Sequence, residues 1–100
     1  MGQYEVKILS TAQEDMADIV DYLNTLSPEA AFRYYDLLTE KIKSLSNMPE
    51  RCALARDTQL RLRGYRVLIV KQYLAFFVII SDTVQVRRIL YGRRQYDTLI

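Results

Sequence analysis

The apolar positions in the first half of the chain repeat with the period of α-helices. Residues 3–9 alternate loosely between polar and apolar and predict a short first strand. After this strand the spacing changes to three and four residues, which predicts an amphipathic helix. Thr11 followed by Glu14 predicts a capping box at the start of that helix. The buried stripe should consist of Ala12, Met16, Ile19, Val20 and Leu23, with Glu14, Asp15, Asp18 and Asp21 facing solvent.

A second helix is predicted to begin at Ser27-Pro28, with the serine as N-cap and the proline at the first helical position. Its predicted apolar stripe consists of Ala31, Tyr34, Tyr35, Leu38, Ile42 and Leu45. Pro49 ends the pattern. The two helices should form an antiparallel hairpin joined by three or four residues, and each needs a sheet to cover its apolar stripe.

The second half changes to strand-like patterns. Residues 51–62 are mixed and predict an extended arm or loop, whereas residues 64–70, 73–80 and 84–91 are rich in β-branched and aromatic side chains. The breaks at 71–72 and 81–83 suit hairpin turns. The predicted fold class is α+β, with element order β-α-α-β-β-β. A helical hairpin packs on one face of a mostly antiparallel meander sheet, in a single domain over residues 1–100.

The last predicted strand raises a question about side-chain direction. If Val86 and Leu90 face the helices, Arg87, Ile89 and Tyr91 point to the opposite, open face. Arg88 then falls among the apolar side chains, unless it lies near the sheet rim or a bulge turns it away. The sequence leaves these alternatives open.

Composition excludes several classes of site. The chain has no histidine, one cysteine and three glycines. A metal site, a cofactor and a glycine-rich phosphate loop are therefore not expected. No apolar run approaches the ~18 residues of a membrane helix. The single Cys52, expected as a free, partly buried thiol, fits a reducing cytoplasm, so we expect a cytoplasmic protein that does not bind membranes.

The charges are distributed unevenly. Residues 1–50 carry four Lys/Arg and nine Asp/Glu, a net −5, and residues 51–100 carry ten Lys/Arg and three Asp/Glu, a net +7. Nine of the ten later cations are arginine. This asymmetry indicates an anionic partner for the second half, nucleic acid before membrane. Mutual neutralisation of the two halves within the fold is the alternative.

Arginines and tyrosines cluster at three points, which should converge where the strands end. Guanidinium groups bind phosphate oxygens in pairs, and tyrosine rings stack on unpaired bases, so the combination suits RNA. Solvated strand edges and half-buried sheet tyrosines are the alternative interpretation. The clusters are Arg61, Arg63 and Arg66 around Gly64-Tyr65; Arg87 and Arg88 with Tyr91; and Arg93 and Arg94 with Tyr96.

The segments LRLRGYRVLIV (60–70) and VRRILYGRRQY (86–96), behind a helical hairpin, resemble the RelE/ParE toxin superfamily over essentially the whole chain. The resemblance implies the toxin of a bacterial type II toxin–antitoxin (plasmid stabilisation) module, silenced by a cognate antitoxin. RelE-type members cleave mRNA on the ribosome, where the 2′-hydroxyl attacks the adjacent phosphate. ParE-type members share the fold without the cutting residues and poison DNA gyrase.

The resemblance assigns catalytic roles by position. Arg66 matches an arginine that holds the scissile phosphate, Arg93 or Arg94 a residue that stabilises charge or protonates the leaving oxygen, and Tyr96 a stacking or proton-handling tyrosine. Arg61, Arg63, Arg87, Arg88 and Tyr91 are expected to bind RNA. These residues favour a ribosome-dependent mRNA endonuclease, with gyrase inhibition as the alternative.

One departure from the RelE pattern weakens the nuclease interpretation. Arg61 stands where that pattern has a lysine, and Gln95 where some members have histidine. Arginine is a poor general base, because its pKa lies above ~12. The basic face predicts that the antitoxin segment is acidic and amphipathic and folds on binding.

Overall fold

The computed structural model describes residues 3–92. In chain order the elements are β1 (Glu5–Ile8), α1 (Ser10–Leu26), α2 (Pro28–Lys43), two 3₁₀ turns (Ser44–Ser46 and Pro49–Arg51), α3 (Thr58–Leu62), β2 (Arg66–Val70), β3 (Tyr73–Ile80) and β4 (Thr83–Tyr91). The four strands form one sheet in the order β1-β4-β3-β2. Only the β1–β4 pair is parallel. The predicted α+β fold is confirmed, with a short additional helix, α3.

The helical hairpin forms as predicted but with a tighter connection. Ser27 alone joins α1 to α2, so the predicted linker of three or four residues is wrong. Its backbone is extended and its Oγ accepts a hydrogen bond from the Ala30 N–H at 3.2 Å, which confirms the predicted cap. Across residues 3–92 no helix has both the length and the apolar character needed to cross a membrane.

The capping box predicted for Thr11 and Glu14 is absent. Helix α1 begins at Ser10, and its N-cap residue Leu9 makes no side-chain cap bond. The reason lies in the preceding strand: the Leu9 N–H donates to the Val86 carbonyl at 2.9 Å, which fixes where the chain leaves the sheet. Thr11 is therefore already inside the first turn, and the nearby Ile8 carbonyl instead accepts a bond from the Gln13 side chain at 2.8 Å.

Apolar side chains pack on both faces of the sheet. On the helix face the larger cluster includes Ala12, Met16, Leu38, Ile42, Leu45, Leu68, Val70, Phe77, Val84, Val86 and Ile89. On the outer face a smaller cluster consists of Ala55, Leu60, Tyr65, Phe76, Val78 and Leu90. The expectation of an open outer face is therefore wrong for its β2–β3 side, because α3 and its flanking residues cover it.

The segment predicted as an arm or loop contains α3. The Asp57 side chain caps this helix by accepting a bond from the Leu60 N–H at 3.0 Å, and Leu60 is buried under it. Gly64 ends it with φ +83°, a conformation that glycine adopts readily, so β2 begins at Arg66 rather than at Gly64. A helix of five residues is too short for hydrophobic periodicity to reveal.

A β-bulge decides which side chains of β4 face the helices. Phe76 pairs with Arg88 and Phe77 pairs with Val86, so Arg87 is the extra residue. Val86 packs on the helix side as expected, but after the bulge it is Ile89 that packs there. Leu90 turns to the outer cluster. Of the alternatives that the sequence left open, the regular alternation with Leu90 towards the helices is therefore wrong, because a bulge reverses the alternation of the strand.

Candidate functional site

Arg66, the proposed phosphate-binding position, is bound to the chain's own backbone. It lies on the helix face of β2, on the same side as Leu68. Its Nη1 donates to the Cys52 carbonyl at 2.6 Å and to the Glu50 carbonyl at 3.2 Å. These bonds fasten the turn at residues 49–52 to the sheet. In this arrangement the guanidinium has a structural role.

Arg63 and Arg87 each contact the ring of Tyr65, which belongs to the outer cluster. Their Cζ atoms lie 5.3 and 5.8 Å from the centre of the Tyr65 ring, within the range of cation–π contacts. Arg87 Nη2 donates to Gln85 Oε1 at 3.0 Å and Nη1 lies 3.4 Å from the Tyr65 hydroxyl. The Tyr65 ring is 2% exposed. It therefore positions the two arginines and is not accessible for stacking on a base.

Arg88 is held on the helix side by Asp15. Its Nε donates to Asp15 Oδ2 at 2.8 Å, and its Nη2 donates to Oδ1 at 2.9 Å. The same carboxylate accepts the Ile89 backbone N–H at 2.9 Å. These bonds raise the pKa of the Arg88 guanidinium above its ordinary value. Asp15, predicted to face solvent, instead fastens α1 to β4 beyond the end of β1.

The described arginines thus occupy separate places. Arg61 lies on the exposed side of α3. The guanidinium of Arg66 binds the turn at residues 49–52, that of Arg88 binds Asp15, and those of Arg63 and Arg87 contact Tyr65. These guanidiniums therefore do not converge on one concave surface as expected. Arg93, Arg94 and Tyr96 lie outside the described residues.

Tyr91 is part of a row of tyrosines on the helix side. Its ring lies 5.9 Å from that of Tyr73 at an interplanar angle of 69°, and Tyr73 lies 5.9 Å from Tyr34 at 79°. Both pairs are edge-to-face contacts. Burial raises the pKa of the Tyr73 hydroxyl. Tyr91 is 40% exposed at the end of this row and is separated from the outer-face arginines.

A groove of about 670 Å³ runs between α1 and the ends of β3 and β4. We call this feature the α1–β4 groove. Its described lining has apolar, tyrosine and acidic side chains but no lysine or arginine: Asp15, Asp18, Ile19, Tyr22, Leu23, Leu26, Tyr34, Gln72, Tyr73, Ile89, Leu90 and Tyr91. Tyr22 and Leu26 are 62% and 66% exposed. Exposed apolar side chains grouped around a concavity are typical of protein interaction sites.

The sequence interpretation missed this groove and the role of Asp15. Tyr22 and Leu26 lie outside the predicted apolar stripe of α1. Two large apolar residues outside a stripe were the sequence signal that could have indicated the groove. For Asp15 the sequence contains no such signal, because its partners Arg88 and Ile89 lie more than seventy residues away.

The described residues show no grouping of three or more metal-binding side chains. Cys52 is a free thiol, as predicted, and is buried. Burial is the main reason that the pKa of its thiol lies above the ordinary value.

The chain is similar to known proteins in sequence and in fold. Residues 6–96 match the family model of the ParE toxin of the type II toxin–antitoxin system parDE. No curated protein sequence matches the chain.

Two solved structures have the same fold. The chromosomal ParDE system from P. aeruginosa superposes with a TM-score of 0.75 at 23% identity, covering 89% of this chain and 96% of that one. The toxin–antitoxin complex RelBE2 from Mycobacterium tuberculosis superposes with a TM-score of 0.64 at 22% identity, covering 89% of this chain and 98% of that one. Because the family model spans residues 6–96, the chain belongs to the ParE toxin family of type II toxin–antitoxin systems, within the RelE/ParE superfamily.

Proposed function

We propose that this toxin arrests growth by inhibiting DNA gyrase and that it does not cut RNA. The observation that supports the proposal is that the Arg66 guanidinium is already hydrogen-bonded within the chain. The arginine that would hold a scissile phosphate is bound to the Cys52 and Glu50 carbonyls. Binding a phosphate with that nitrogen requires breaking both bonds and leaves two carbonyls to find other donors.

The absence of histidine, and of the lysine that the RelE pattern has, supports the same proposal. Attack by a 2′-hydroxyl needs a group that accepts its proton near neutral pH. The chain has no histidine, and Arg61 stands where the RelE pattern has a lysine. Because arginine keeps its proton at neutral pH, it stabilises charge but removes protons poorly.

Ribosome-dependent mRNA cleavage is the second candidate, and one observation favours it. Arg63 and Arg87 both contact the Tyr65 ring, and no carboxylate is among the hydrogen-bond partners of Arg87 in the described residues. A guanidinium without a carboxylate partner suits a phosphodiester group. In that mechanism Arg93, Arg94 and Tyr96 would complete the site, and Tyr96 or a ribosomal group would move the proton.

The comparisons bear on the two candidates unequally. The family model is that of the ParE toxin, which favours gyrase inhibition, whereas the ParDE and RelBE2 superpositions do not separate the two candidates. Both superpositions are near 20% identity, so they describe the fold and not the target.

A cognate antitoxin is the proposed partner. Both solved relatives are toxin–antitoxin assemblies. The net charge of +7 on residues 51–100 favours an antitoxin with an acidic segment that contacts this half of the toxin. Co-expression with the product of the adjacent reading frame should restore growth, and continued growth arrest would contradict this partner.

The target is tested with two assays on the same purified protein. We expect loss of supercoiling by purified gyrase and intact mRNA in primer extension from a reconstituted translation system. Arg66→Ala is run in both assays beside Arg33→Ala, an exposed control on α2. Ribosome-dependent cuts that disappear in Arg66→Ala, together with unaffected supercoiling, would overturn gyrase inhibition in favour of cleavage.

A further inference from the structure

The segment around α3 carries an excess of positive charge. Residues 51–81 contain six lysine or arginine residues and a single carboxylate, that of Asp57. The Asp57 side chain is already used as the N-cap of α3. Arg56, Arg61 and Arg63 lie in or beside this short helix, and all three are exposed. A concentration of guanidiniums without matching acids is typical of a surface that contacts an anionic partner.

The bulge in β4 adds a further arginine to this surface. Arg87 is the extra residue of the bulge, and its Cζ lies 5.8 Å from the centre of the Tyr65 ring. Its Nη2 donates to Gln85 Oε1 at 3.0 Å, and its Nη1 lies 3.4 Å from the Tyr65 hydroxyl. Its Nε is buried and has no hydrogen-bond partner among the described residues. These contacts hold the guanidinium in one orientation but do not balance its charge, and a nearby anion would do so.

Neither Arg63 nor Arg87 forms a salt bridge in the described part of the chain, where Arg88 is paired with Asp15 instead. The Arg63 Cζ lies 5.3 Å from the centre of the same Tyr65 ring. The two guanidinium carbons are therefore separated by no more than the sum of their distances from that ring. One extended anionic surface can contact both, and the planar fork of arginine matches phosphate oxygens.

The burial of Tyr65 indicates which kind of nucleic acid fits. Proteins usually recognise single-stranded RNA by stacking its bases on aromatic rings. The Tyr65 ring is 2% exposed, and the exposed tyrosines of the described residues, Tyr22, Tyr35 and Tyr91, lie on the helices or in the row on the helix side. Arginines without an accessible ring contact the phosphate backbone and not the bases, as in binding to a duplex. Gyrase, the proposed target, acts on duplex DNA.

We propose that Arg63 and Arg87 bind phosphates of the DNA duplex that gyrase holds. Neighbouring phosphates of the duplex meet the two guanidiniums, and the buried Tyr65 ring keeps both in position. The contact is independent of base sequence, because phosphates are the same at every step. The inference rests on the proposed gyrase target and adds the DNA to the surface that the toxin contacts.

The test measures the affinity of the toxin for purified gyrase, with and without a bound DNA duplex, by isothermal titration calorimetry at several salt concentrations. Arg63→Gln and Arg87→Gln each remove one guanidinium. Arg33→Gln is the matched control, because Arg33 is exposed on α2. Circular dichroism checks that the three variants fold. Arg63 is exposed at the end of α3, so Arg63→Gln keeps the test decisive if Arg87→Gln disturbs the packing around Tyr65.

We expect DNA to tighten binding of the wild-type toxin, and each of the two variants to weaken binding to gyrase with DNA about tenfold, as for the loss of a charge-assisted hydrogen bond. Each phosphate contact contributes about 0.9 to the slope of log affinity against log salt concentration, so each variant should reduce that slope by about one. Arg33→Gln should change neither quantity.

The contrary outcomes are distinguishable. Unchanged affinity and slope in both variants would overturn the phosphate contact and leave gyrase inhibition intact. An equal loss of affinity with and without DNA would assign the arginines to carboxylates of gyrase and would also overturn the inference. A wild-type toxin that leaves supercoiling unaffected would overturn the proposed function and this inference with it. Loss of mRNA cleavage in the two variants would then assign the arginines to RNA.

Discussion

The contact between Asp15 and Arg88 should contribute measurably to stability. One carboxylate accepts two bonds from the guanidinium and a third from the Ile89 backbone, all between 2.8 and 2.9 Å. Asp15→Ala removes all three acceptors, and it leaves a cation and an N–H group with little access to water. The side chains of Arg88 and Asp15 are 20% and 11% exposed.

The expected loss in the free energy of unfolding follows from these exposed fractions. Removing one partner of a fully buried ion pair costs about 3–5 kcal/mol. Because both side chains retain some contact with solvent, we expect about 2–3 kcal/mol for Asp15→Ala. Asp15→Asn keeps one acceptor oxygen for Ile89 and Arg88 Nε but loses the charge and the acceptor of Arg88 Nη2, so we expect about 1–2 kcal/mol.

Urea denaturation followed by circular dichroism measures these losses, with the slope against denaturant checked for constancy. Asp21→Asn, an exposed change on the same helix, should stay within about 0.5 kcal/mol of the wild type. If Asp15→Ala unfolds at the same urea concentration as Asp21→Asn, the contact between α1 and β4 has no net stabilising effect, and our reasoning about it is wrong.

Three further predictions concern the turn regions. Gly64→Ala forces a side chain into φ +83° and should destabilise the fold by about 1–2 kcal/mol in the same urea assay; an unchanged midpoint would contradict a strained position. Cys52 should react slowly with an aromatic disulfide reagent at pH 8 and rapidly in guanidinium, since burial raises its thiol pKa; fast reaction of the native protein would refute this. The Tyr4 hydroxyl donates a hydrogen bond of 2.6 Å to Glu50, and this bond is the main cause of the lowered pKa of Glu50. The ionised carboxylate therefore stabilises the folded state fully above its ordinary pKa. This stabilisation is lost as the pH falls through the lowered pKa. Tyr4→Phe should raise the pKa of Glu50 in an NMR titration, and an unmoved pKa would exclude that cause.

The arginine clusters illustrate how far sequence reasoning about the site extends. The pattern placed Arg63 beside Tyr65 and expected the separate cluster of Arg87 to converge with it, and in the structure both guanidiniums contact the Tyr65 ring. It also grouped Arg66 with them, although this residue points to the other face of the sheet. Which face a strand residue takes depends on where the strand begins, and the positive φ of Gly64 sets that start.

The sequence by itself determined the elements whose signals are local. Both long helices and the three later strands follow from periodicity, because the positions that face the core recur at every helical turn or every second strand residue and are apolar. The serine cap at Ser27 and the turn at residues 71–72 are also short-range features. They depend on hydrogen bonds and backbone angles within a few residues.

Only the tertiary structure decided the features that join distant parts of the chain. The bulge at Arg87 depends on how β4 pairs with β3, and the burial of Asp15 depends on α1 passing beside Ile89. The α1–β4 groove exists because β1 ends before β4 does, leaving part of β4 facing α1. Pairing registers and packing distances between remote segments have no periodic trace in the sequence, since they are set by the assembled sheet.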